Sequence, residues 1–323
     1  MTVRLTVDTA AWRASVDSFV ETAGHLVPVV KGNGYGFGLV ALAAEAARLT
    51  HTIAVGTVHE AHAVAASVAH VQMVVLTPVG GATAELPANA VPTVGNHAHV
   101  RSLASAGRRG AVSLKLASTM GRYGASAESY EELVGAVAAA GLSVTSYMLH
   151  LPLITTAYRE GDALREVDGW LALLDPSVPL SLSHVSPAGV AELRRRHPSR
   201  RFVLRAGTAL WHGERSSLHL AADVLDTRAV AAGSSVGYRQ VAVPCDGTLV
   251  MIGAGTAGGV TALADGRSPF HHEGRRLALV EPAHMHTSMV FVPHGDPCPG
   301  AGDWVDVQRP LTMTAVDEII WAG

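Results

Sequence analysis

The 323-residue chain is predicted to fold as an α/β protein, a (β/α)8 barrel followed by a mainly β domain. Two observations predict this architecture. From about residue 10 to residue 215, short β-branched runs alternate with alanine-rich amphipathic segments, which is typical of a parallel barrel closed by helices. Beyond that point, strand-like runs separated by glycine and proline replace the helical periodicity. The predicted domains are therefore residues 9–215 and 216–323, with the strand-like residues 1–8 joining the second domain.

Each candidate barrel strand is a short apolar run, and each candidate helix repeats its apolar residues at helical spacing. Eight barrel strands are predicted at Leu26–Val30, Thr52–Val55, Val71–Leu76, Val91–Thr93, Val112–Leu116, Ser143–Met148, Leu180–Leu182 and Arg201–Leu204. The helices include Gly38–Leu49, Val58–Ala69, His97–Ala106, Ala127–Ala140, Gly161–Leu174 and Ala188–Arg196. The second domain is predicted to contain strands at Ser235–Val243, Gly247–Ile252, Arg276–Val280, Met289–Val292 and Trp304–Val307.

Composition argues against two classes of partner. The chain is 48% hydrophobic and only 16% charged, and its net charge is −3. With no basic stripe in the sequence, neither nucleic acid nor a membrane is expected as a partner. The first eight residues lack the apolar core of a signal peptide. The two cysteines, Cys245 and Cys298, lack a local pairing motif, so a cytoplasmic location is expected.

The most informative segment is Val29–Gly38, in which an apolar strand ends in Lys31 and glycines, an asparagine and Tyr35 follow. A lysine at the C-terminal end of a barrel strand can point into the barrel mouth. A partly desolvated amine there becomes a nucleophile for a carbonyl cofactor such as pyridoxal 5'-phosphate (PLP), and a tyrosine can hydrogen-bond its phosphate. The segment resembles the cofactor-lysine signature V-V-K-A-N-A-Y-G-H-G of the alanine racemases. The alternative interpretation is a glycine-rich turn with an incidental surface lysine.

A second segment in the family's order is Leu114–Gly124, which resembles L-K-V-D-T-G-M-x-R-L-G. The resemblance implies that Arg122 binds the cofactor's phenolic oxygen and the substrate carboxylate, a task suited to a planar, bidentate guanidinium. It also implies that Lys115 orients this arginine, as a carbamylated lysine does in many members. An ordinary strand-end lysine is the alternative, since carbamylation cannot be read from a sequence. The family's aspartate and glycine are Ala117 and Thr119 here.

A third resemblance is that of Leu204–Trp211 to V-R-P-G-I-A-L-Y-G. It implies that Arg205 faces the pyridine nitrogen of the cofactor and that the backbone at Gly207 and Thr208 binds its phosphate. Arginine does not give up a proton, so the pyridine would stay unprotonated and act as a weaker electron sink. A weak sink suits reversible proton movement at Cα. The alternative for Arg205 is a surface ion pair at a strand end.

Three single residues are assigned by shorter matches. The resemblance implies that His150 lies beside the cofactor ring and that Ser186 binds phosphate, although the asparagine that precedes this serine in the family is Val185 here. Tyr238, in a segment resembling V-S-Y-G, takes the place of a second catalytic base that a neighbouring subunit contributes. Racemisation needs a proton acceptor on each face of a planar intermediate, and Lys31 with Tyr238 would form that pair. Without the family series, His150 and Tyr238 would be interpreted as packed core or strand residues.

The second domain departs from the family pattern at the substrate entrance. Thr256 and Gly258 replace the tyrosine and aspartate of G-Y-A-D-G, and His286 replaces the aspartate of V-S-M-D-Q-x-M. Met285, whose backbone would help to bind the substrate carboxylate, is kept. These changes predict a substrate other than alanine.

The end of the chain also departs from the family. Residues 314–323 are predicted as the helix that leads into the family's terminal strand G-T-I-N-Y-E-I-L, so that the entrance tyrosine of that strand is missing. An alternative alignment places Asp317 at the tyrosine position. It is disfavoured because a carboxylate beside a phosphate would repel it.

A metal site is the alternative for four potential ligands that lie close together in sequence, namely His284, His286, His294 and Cys298. They match no defined ligand spacing, so no metal is predicted. The resemblance, which covers nearly the whole chain, implies a homodimeric PLP-dependent amino-acid racemase with shared active sites and two-base proton transfer. Two alternatives stay open: a different PLP-dependent reaction in specialised metabolism, and a racemase-like protein that binds PLP with little turnover.

Overall fold

The computed structural model describes residues 2–80 and 86–323, and the chain divides into two compact units. The barrel unit contains Ser15–Gly34 and Leu39–Gly213. The β unit contains the residues up to Ala14 together with Tyr35–Gly38 and Glu214–Gly323.

Eight parallel strands form the sheet of the barrel unit, and its two edges meet at a bridge between Val29 and Ala54. After β1 (Val3–Asp8) of the β unit, these strands are β2 (Leu26–Pro28), β3 (Thr52–Val55), β4 (Gln72–Pro78), β5 (Ala90–Val94), β6 (Gly110–Leu116), β7 (Leu142–His150), β8 (Leu180–Ser183) and β9 (Phe202–Ala206). The order around the barrel is β2-β9-β8-β7-β6-β5-β4-β3. The predicted barrel is confirmed, and all eight predicted strands are present with ends that differ by at most two residues.

Helices follow the strands as predicted. They are α1 (Thr9–Ala23), α2 (Leu39–Leu49), α3 (Val58–Ala65), α4 (His97–Ser105), α5 (Ala127–Ala139), α6 (Glu160–Leu171), α7 (Pro187–Arg196) and the single turn α8 (Thr208–Trp211). Four begin at side-chain caps, Thr57, Asn96, Ser126 and Ser186, which accept a hydrogen bond from a first-turn amide. Such caps stabilise helix starts by about 1 kcal/mol each. In the described part of the chain, each helix is too short or too polar to cross a membrane.

The β unit is built on a nine-stranded sheet centred on the long strand β10 (Leu218–Val230). The further strands are β11 (Ser235–Val236), β12 (Val241–Ala242), β13 (Gly247–Ile252), β14 (Phe270–His272), β15 (Arg275–Arg276), β16 (Ala278–Leu279), β17 (Ser288–Pro293), β18 (Trp304–Val307) and β19 (Glu318–Ala322). The single strands predicted at Ser235–Val243 and Arg276–Val280 are each two short strands. In the first, Gly237 and Gln240 have positive φ angles of 75° and 49°, so the chain turns back between β11 and β12.

The helix predicted at residues 314–323 is wrong, because Glu318–Ala322 forms β19 and pairs in parallel with β1. Asp317 starts this pairing: its carboxylate accepts the Val3 N–H at 2.8 Å, and its own N–H donates to the Val3 carbonyl at 2.8 Å. Secondary structure therefore agrees with the alignment that places Asp317 at the tyrosine position. Hydrogen bonding to the first strand gives this carboxylate a structural role.

Candidate active site

Lys31 and Lys115 are the only two lysines of a chain with 24 basic lysine and arginine residues. Lys31 follows β2, and Lys115 is the penultimate residue of β6. In a (β/α)8 barrel the C-terminal ends of all strands lie on one face, where active sites are built. Both lysine side chains of the chain therefore lie at this one end of the barrel. Every other residue among the 24 is an arginine.

The backbone around Lys31 is held by Glu60 at the start of α3. The carboxylate of Glu60 accepts the N–H of Gly32 at 2.9 Å and that of Gly56 at 2.6 Å. A Cβ at Gly56 would lie 3.2 Å from the Cβ of Lys31 and 2.6 Å from the carboxylate, so a side chain there would displace Glu60. Although Lys31 is solvent-exposed as a residue, partial desolvation of its amine and repulsion by Arg122 lower its pKa, and Glu60 opposes this shift.

Lys115 is buried, with 4% of its surface exposed. Burial, followed by repulsion from Arg205 and Arg122, lowers the pKa of its amine to about 7. Its Nζ lies 5.0 Å from the centre of the Tyr123 ring, and the Arg122 guanidinium carbon lies 4.8 Å from the same ring. A substantial fraction of the Lys115 amine is therefore uncharged near neutral pH.

Arg205 is buried in β9 and binds only uncharged groups. Its guanidinium donates to the carbonyls of Ser181 at 2.6 Å and Leu149 at 3.0 Å, and to the Ser183 hydroxyl at 3.4 Å. Burial lowers its pKa to about 10, so it stays charged at neutral pH. Buried cations are normally paired with an anion.

No carboxylate forms an ion pair with any of four cations of this end of the barrel, within residues 2–80 and 86–323. The four are Lys31, Lys115, Arg122 and Arg205. Arg122 and Arg205 both lower the pKa of Lys31 and of Lys115, so the four lie close together. Such a cluster favours an anionic ligand, because an anion would relieve this mutual repulsion.

His150, at the end of β7, lies next to a second histidine that the sequence did not single out. The ring centres of His150 and His184 are 4.6 Å apart, and His150 Nδ1 lies 2.5 Å from the Ser183 hydroxyl. Burial, then repulsion by His184 and Arg205, lowers the pKa of His150 to about 2, so its ring is neutral. His184 donates from Nδ1 to the Leu151 carbonyl at 2.8 Å, because a carbonyl can only accept. Its φ of 65° is unusual outside glycine and is typical of functional loops.

Ser186 caps α7 and is bound by an acidic side chain. Its N–H and its hydroxyl both donate to Oε1 of Glu160, at 2.9 and 2.5 Å. Its hydroxyl oxygen accepts the Gly189 N–H at 3.0 Å. The serine predicted to bind phosphate thus already holds an anionic group at a helix N-terminus, where anions are favoured. Gly207 and Thr208 lie where α8 begins, and the first amides of a helix have no acceptor within it.

The loop that carries Arg122 is fixed by α6. Glu166 accepts hydrogen bonds from the amide and the hydroxyl of Thr119, both at 2.7 Å, and from the Tyr158 hydroxyl at 2.7 Å. The Trp170 indole donates to the Ala117 carbonyl at 3.0 Å. Thr119 and Ala117 replace the glycine and the aspartate of the family motif, and both are held by α6.

The other predicted site residues belong to the β unit. Tyr35 is buried and has a φ of 54°, which is strained for an aromatic residue. Tyr238 is 85% exposed and Met285 is 66% exposed. The Thr256 N–H donates to the His284 carbonyl at 2.8 Å, so two of the altered segments contact each other.

The remaining altered positions form no metal site in the described part of the chain. Gly258 lies in the short turn that begins at Thr256, and its carbonyl accepts the Ala315 N–H at 3.0 Å. His286 lies in the loop before β17 and is exposed. No group of three or more histidine, cysteine or acidic side chains is arranged to hold a metal ion there.

Comparison with known proteins gives one family. The family model "Alanine racemase, N-terminal domain" matches residues 7–214. The chain is similar over its whole length to the alanine racemase of Bartonella henselae with covalently bound pyridoxal phosphate, at 20% identity, 100% coverage of both chains and a TM-score of 0.78. It is also similar to the alanine racemase of D-cycloserine-producing Streptomyces lavendulae, at 22% identity, coverage of 100% of this chain and 97% of that one, and a TM-score of 0.73. No curated protein matches the sequence.

Proposed function

Because this chain belongs to the alanine racemase family, we propose that it is a PLP-dependent amino-acid racemase with a substrate other than alanine. The observation that carries the proposal is the cluster of four cations, which have no ion-pair partner in the described part of the chain and include the only two lysines of the sequence. Their charges suit a ligand that has phosphate and carboxylate groups.

The residues of the barrel unit fit PLP group by group. Lys31 would bind the aldehyde carbon, and its lowered pKa supports a nucleophilic amine. Arg205 would face the ring nitrogen and, being charged, would donate to it without giving up its proton. Neutral His150 would lie beside the ring. The phosphate would bind Ser186, the amides at Gly207 and Thr208, and Tyr35 of the β unit. When bound, PLP supplies an electron-withdrawing ring that acidifies the Cα–H of an attached amino acid.

Two side chains would then move protons at Cα. Lys31 Nζ, once released from the cofactor, would accept or donate the Cα proton on one face. The Tyr238 hydroxyl of a second subunit would do the same on the other face. Removal of a proton by one group and delivery by the other inverts the configuration.

Arg122 would bind the substrate carboxylate, and Lys115 would orient it. The lowered pKa of Lys115 supports carbamylation, because only an uncharged amine forms a bond to carbon dioxide. Its nitrogen would bind the carbon of CO2 and lose one proton to solvent, which leaves an anion. That anion could pair with Arg122, which has no ion-pair partner in the described part of the chain.

A head-to-tail dimer with shared sites is part of the proposal. The support for it is the family-like order of barrel lysine and β-unit tyrosine, with Tyr238 85% exposed on the β unit. Inactive Lys31→Ala and Tyr238→Phe subunits should regain activity when mixed, since one site of the heterodimer is intact. Failure to regain activity despite proven subunit exchange would argue against a shared site.

The decisive experiment for the function is solvent deuterium exchange at Cα across a panel of amino acids. We expect exchange with inversion for at least one polar or bulky amino acid, because Thr256, Gly258 and His286 change the entrance. Exchange without inversion would favour another PLP reaction. PLP binding without exchange on any amino acid would favour the alternative of a racemase-like protein with little turnover.

A further inference from the structure

Glu281 is a buried carboxylate at the centre of a polar cluster in the β unit. Its side chain is 2% exposed. It accepts the N–H groups of Tyr238 and Arg239, both at 2.9 Å, and the Nε2–H of His284 at 2.7 Å. Burial would raise the pKa of Glu281, but the hydrogen bonds from His284 and the two amides outweigh it and lower the pKa. The carboxylate is therefore ionised and fully engaged.

The turn that carries Tyr238 is wrapped around this carboxylate. A Cβ at Gly237 would lie 2.3 Å from Glu281 Oε1, so only glycine lets the chain approach this closely. Gly237 has a φ of 75°, and the Gln240 N–H closes the turn on its carbonyl at 3.3 Å. Glu281 therefore fixes the backbone from which the Tyr238 side chain projects.

His284 continues from the same carboxylate to the Tyr238 ring. Because a carboxylate only accepts, Nε2 of His284 carries the proton, which fixes the orientation of its ring. The ring centres of His284 and Tyr238 are 4.5 Å apart at an interplanar angle of 51°, a favourable aromatic arrangement. A tyrosine that is 85% exposed would otherwise be free to change rotamer.

We propose that His284, anchored by Glu281, is a positioning residue that holds the Tyr238 phenol for proton transfer. The proposal rests on the role proposed above for Tyr238. In the V-S-M-D-Q-x-M motif that this segment resembles, the position of His284 is serine. The cluster is thus a feature of this chain. His284 belongs to the same β unit as Tyr238 and makes a ring contact with it that serine cannot make.

The test replaces His284 by glutamine, which keeps a donor for Glu281 but removes the ring. The matched control is His219→Gln, since His219 also donates from Nε2 to a carboxylate, Asp306, at 2.7 Å. Two measurements are made. The first is the kinetics of Cα exchange, which gives kcat and KM, and the second is the NMR signal of Tyr238 in protein with 13C-labelled tyrosine rings. Tyr238→Phe identifies that signal among the six tyrosines.

We expect His284→Gln to lower kcat by about 10- to 100-fold, the usual result of misplacing a reacting group, with KM within about twofold of wild type. The Tyr238 signal should lose the ring-current shift of His284, while His219→Gln changes neither quantity. A His284→Gln protein with wild-type kcat and an unchanged Tyr238 signal would overturn the proposal, as would equal losses in both variants. If the Tyr238 signal moves but no amino acid exchanges in wild type, the contact is supported and the racemase function is overturned.

Discussion

The C-terminal end of the barrel and the surroundings of Tyr238 use charge in opposite ways. At the barrel end, Arg205 lowers the pKa of Lys31 and of Lys115, and no carboxylate forms an ion pair with any of the three in the described residues. Around Tyr238, the one buried charge, on Glu281, is fully satisfied by the protein. The barrel therefore keeps its charge for a ligand, whereas the β unit uses its charge to fix the shape of a turn.

The two regions also differ in how closely their residues match the family's motifs. The barrel cations occupy the positions of the family's motifs, and the proposed cofactor binding depends on them. The altered residues of the β unit are Thr256, Gly258 and His286, which the resemblance places at the substrate entrance, whereas Ala117 and Thr119 are changes in a loop of the barrel. We therefore expect substitution of the proton-transfer residues Lys31 and Tyr238 to abolish chemistry, and substitutions at the altered entrance positions to change rate or selectivity.

The largest expected effect is the loss of covalent cofactor binding in Lys31→Ala. Without its amine, Cα exchange should fall by several orders of magnitude, as expected when a nucleophile is removed. Borohydride reduction of the PLP-loaded wild type and peptide mapping should place the pyridoxyl label on Lys31. Lys115 is the internal control, because the chain has no other lysine. A label on Lys115 that survives in Lys31→Ala would assign the two lysines the other way round.

The positions of the two lysines could be predicted from sequence because local features define them: each comes at the end of an apolar run and within a family-like motif. The contacts that hold the site could not. Ser186 and Glu160 are 26 residues apart, and Thr119 and Glu166 are 47 apart. Neither pair has a local signature, so only the assembled barrel brings them together.

Two other features escaped prediction for related reasons. The strand β19 pairs with β1, which lies 314 residues away at Arg4 and Glu318, and without that partner residues 314–323 suit a helix as well as a strand. His184 has a positive φ that its residue type does not announce. In contrast, the capping box of Thr57 and Glu60 directly after β3 is a local sequence pattern. This pattern could have identified Glu60, the residue that holds the backbone around Lys31.

The second expected effect tests whether the β unit has really changed its selectivity. Thr256, Gly258 and His286 replace family side chains at the entrance, and each lost buried hydrogen bond typically costs about 1–3 kcal/mol. We expect kcat/KM for alanine to lie below about 10⁴ M⁻¹s⁻¹, the lower end for efficient enzymes, and to be exceeded by that for a larger or more polar amino acid. Efficient racemisation of alanine would show that these changes are compensated, and the comparison between the two units would fail.

The third prediction concerns the pH dependence of stability that the buried amine of Lys115 causes. Its pKa falls from 10.5 in the unfolded chain to about 7 in the fold, so between these pH values the unfolded state binds more protons and stability rises with pH. In CO2-free protein without PLP, Lys115→Met should be more stable than wild type at pH 6, by up to about 5 kcal/mol at about 1.4 kcal/mol per pKa unit. The advantage should shrink as the pH approaches 10. Urea unfolding at both pH values measures it, and a pH-independent difference would show that the amine is not held uncharged.

The smallest expected effect concerns Glu160, the carboxylate bound to the predicted phosphate ligand Ser186. Its carboxylate lies on the amide and hydroxyl of Ser186, so a phosphate must displace it or be repelled by it. Glu160→Gln keeps an oxygen acceptor for Ser186 but removes the charge. We expect it to bind PLP about tenfold more tightly, equivalent to about 1.4 kcal/mol, and to leave the affinity for pyridoxal, which lacks the phosphate, within twofold of wild type.

The matched control for this last comparison is Glu192→Gln. Glu192 lies on the exposed side of α7, the helix that Ser186 caps, and its carboxylate pairs with Arg195 at 2.7 Å. It should change neither affinity, because Glu192 makes no contact with the helix start. Absorbance titration of wild type and both variants with PLP and with pyridoxal measures all six affinities. If Glu160→Gln tightens both ligands equally, the carboxylate affects the site as a whole and Ser186 is not the phosphate ligand. If it tightens neither, the Glu160 carboxylate does not compete with a phosphate at Ser186, and the prediction fails.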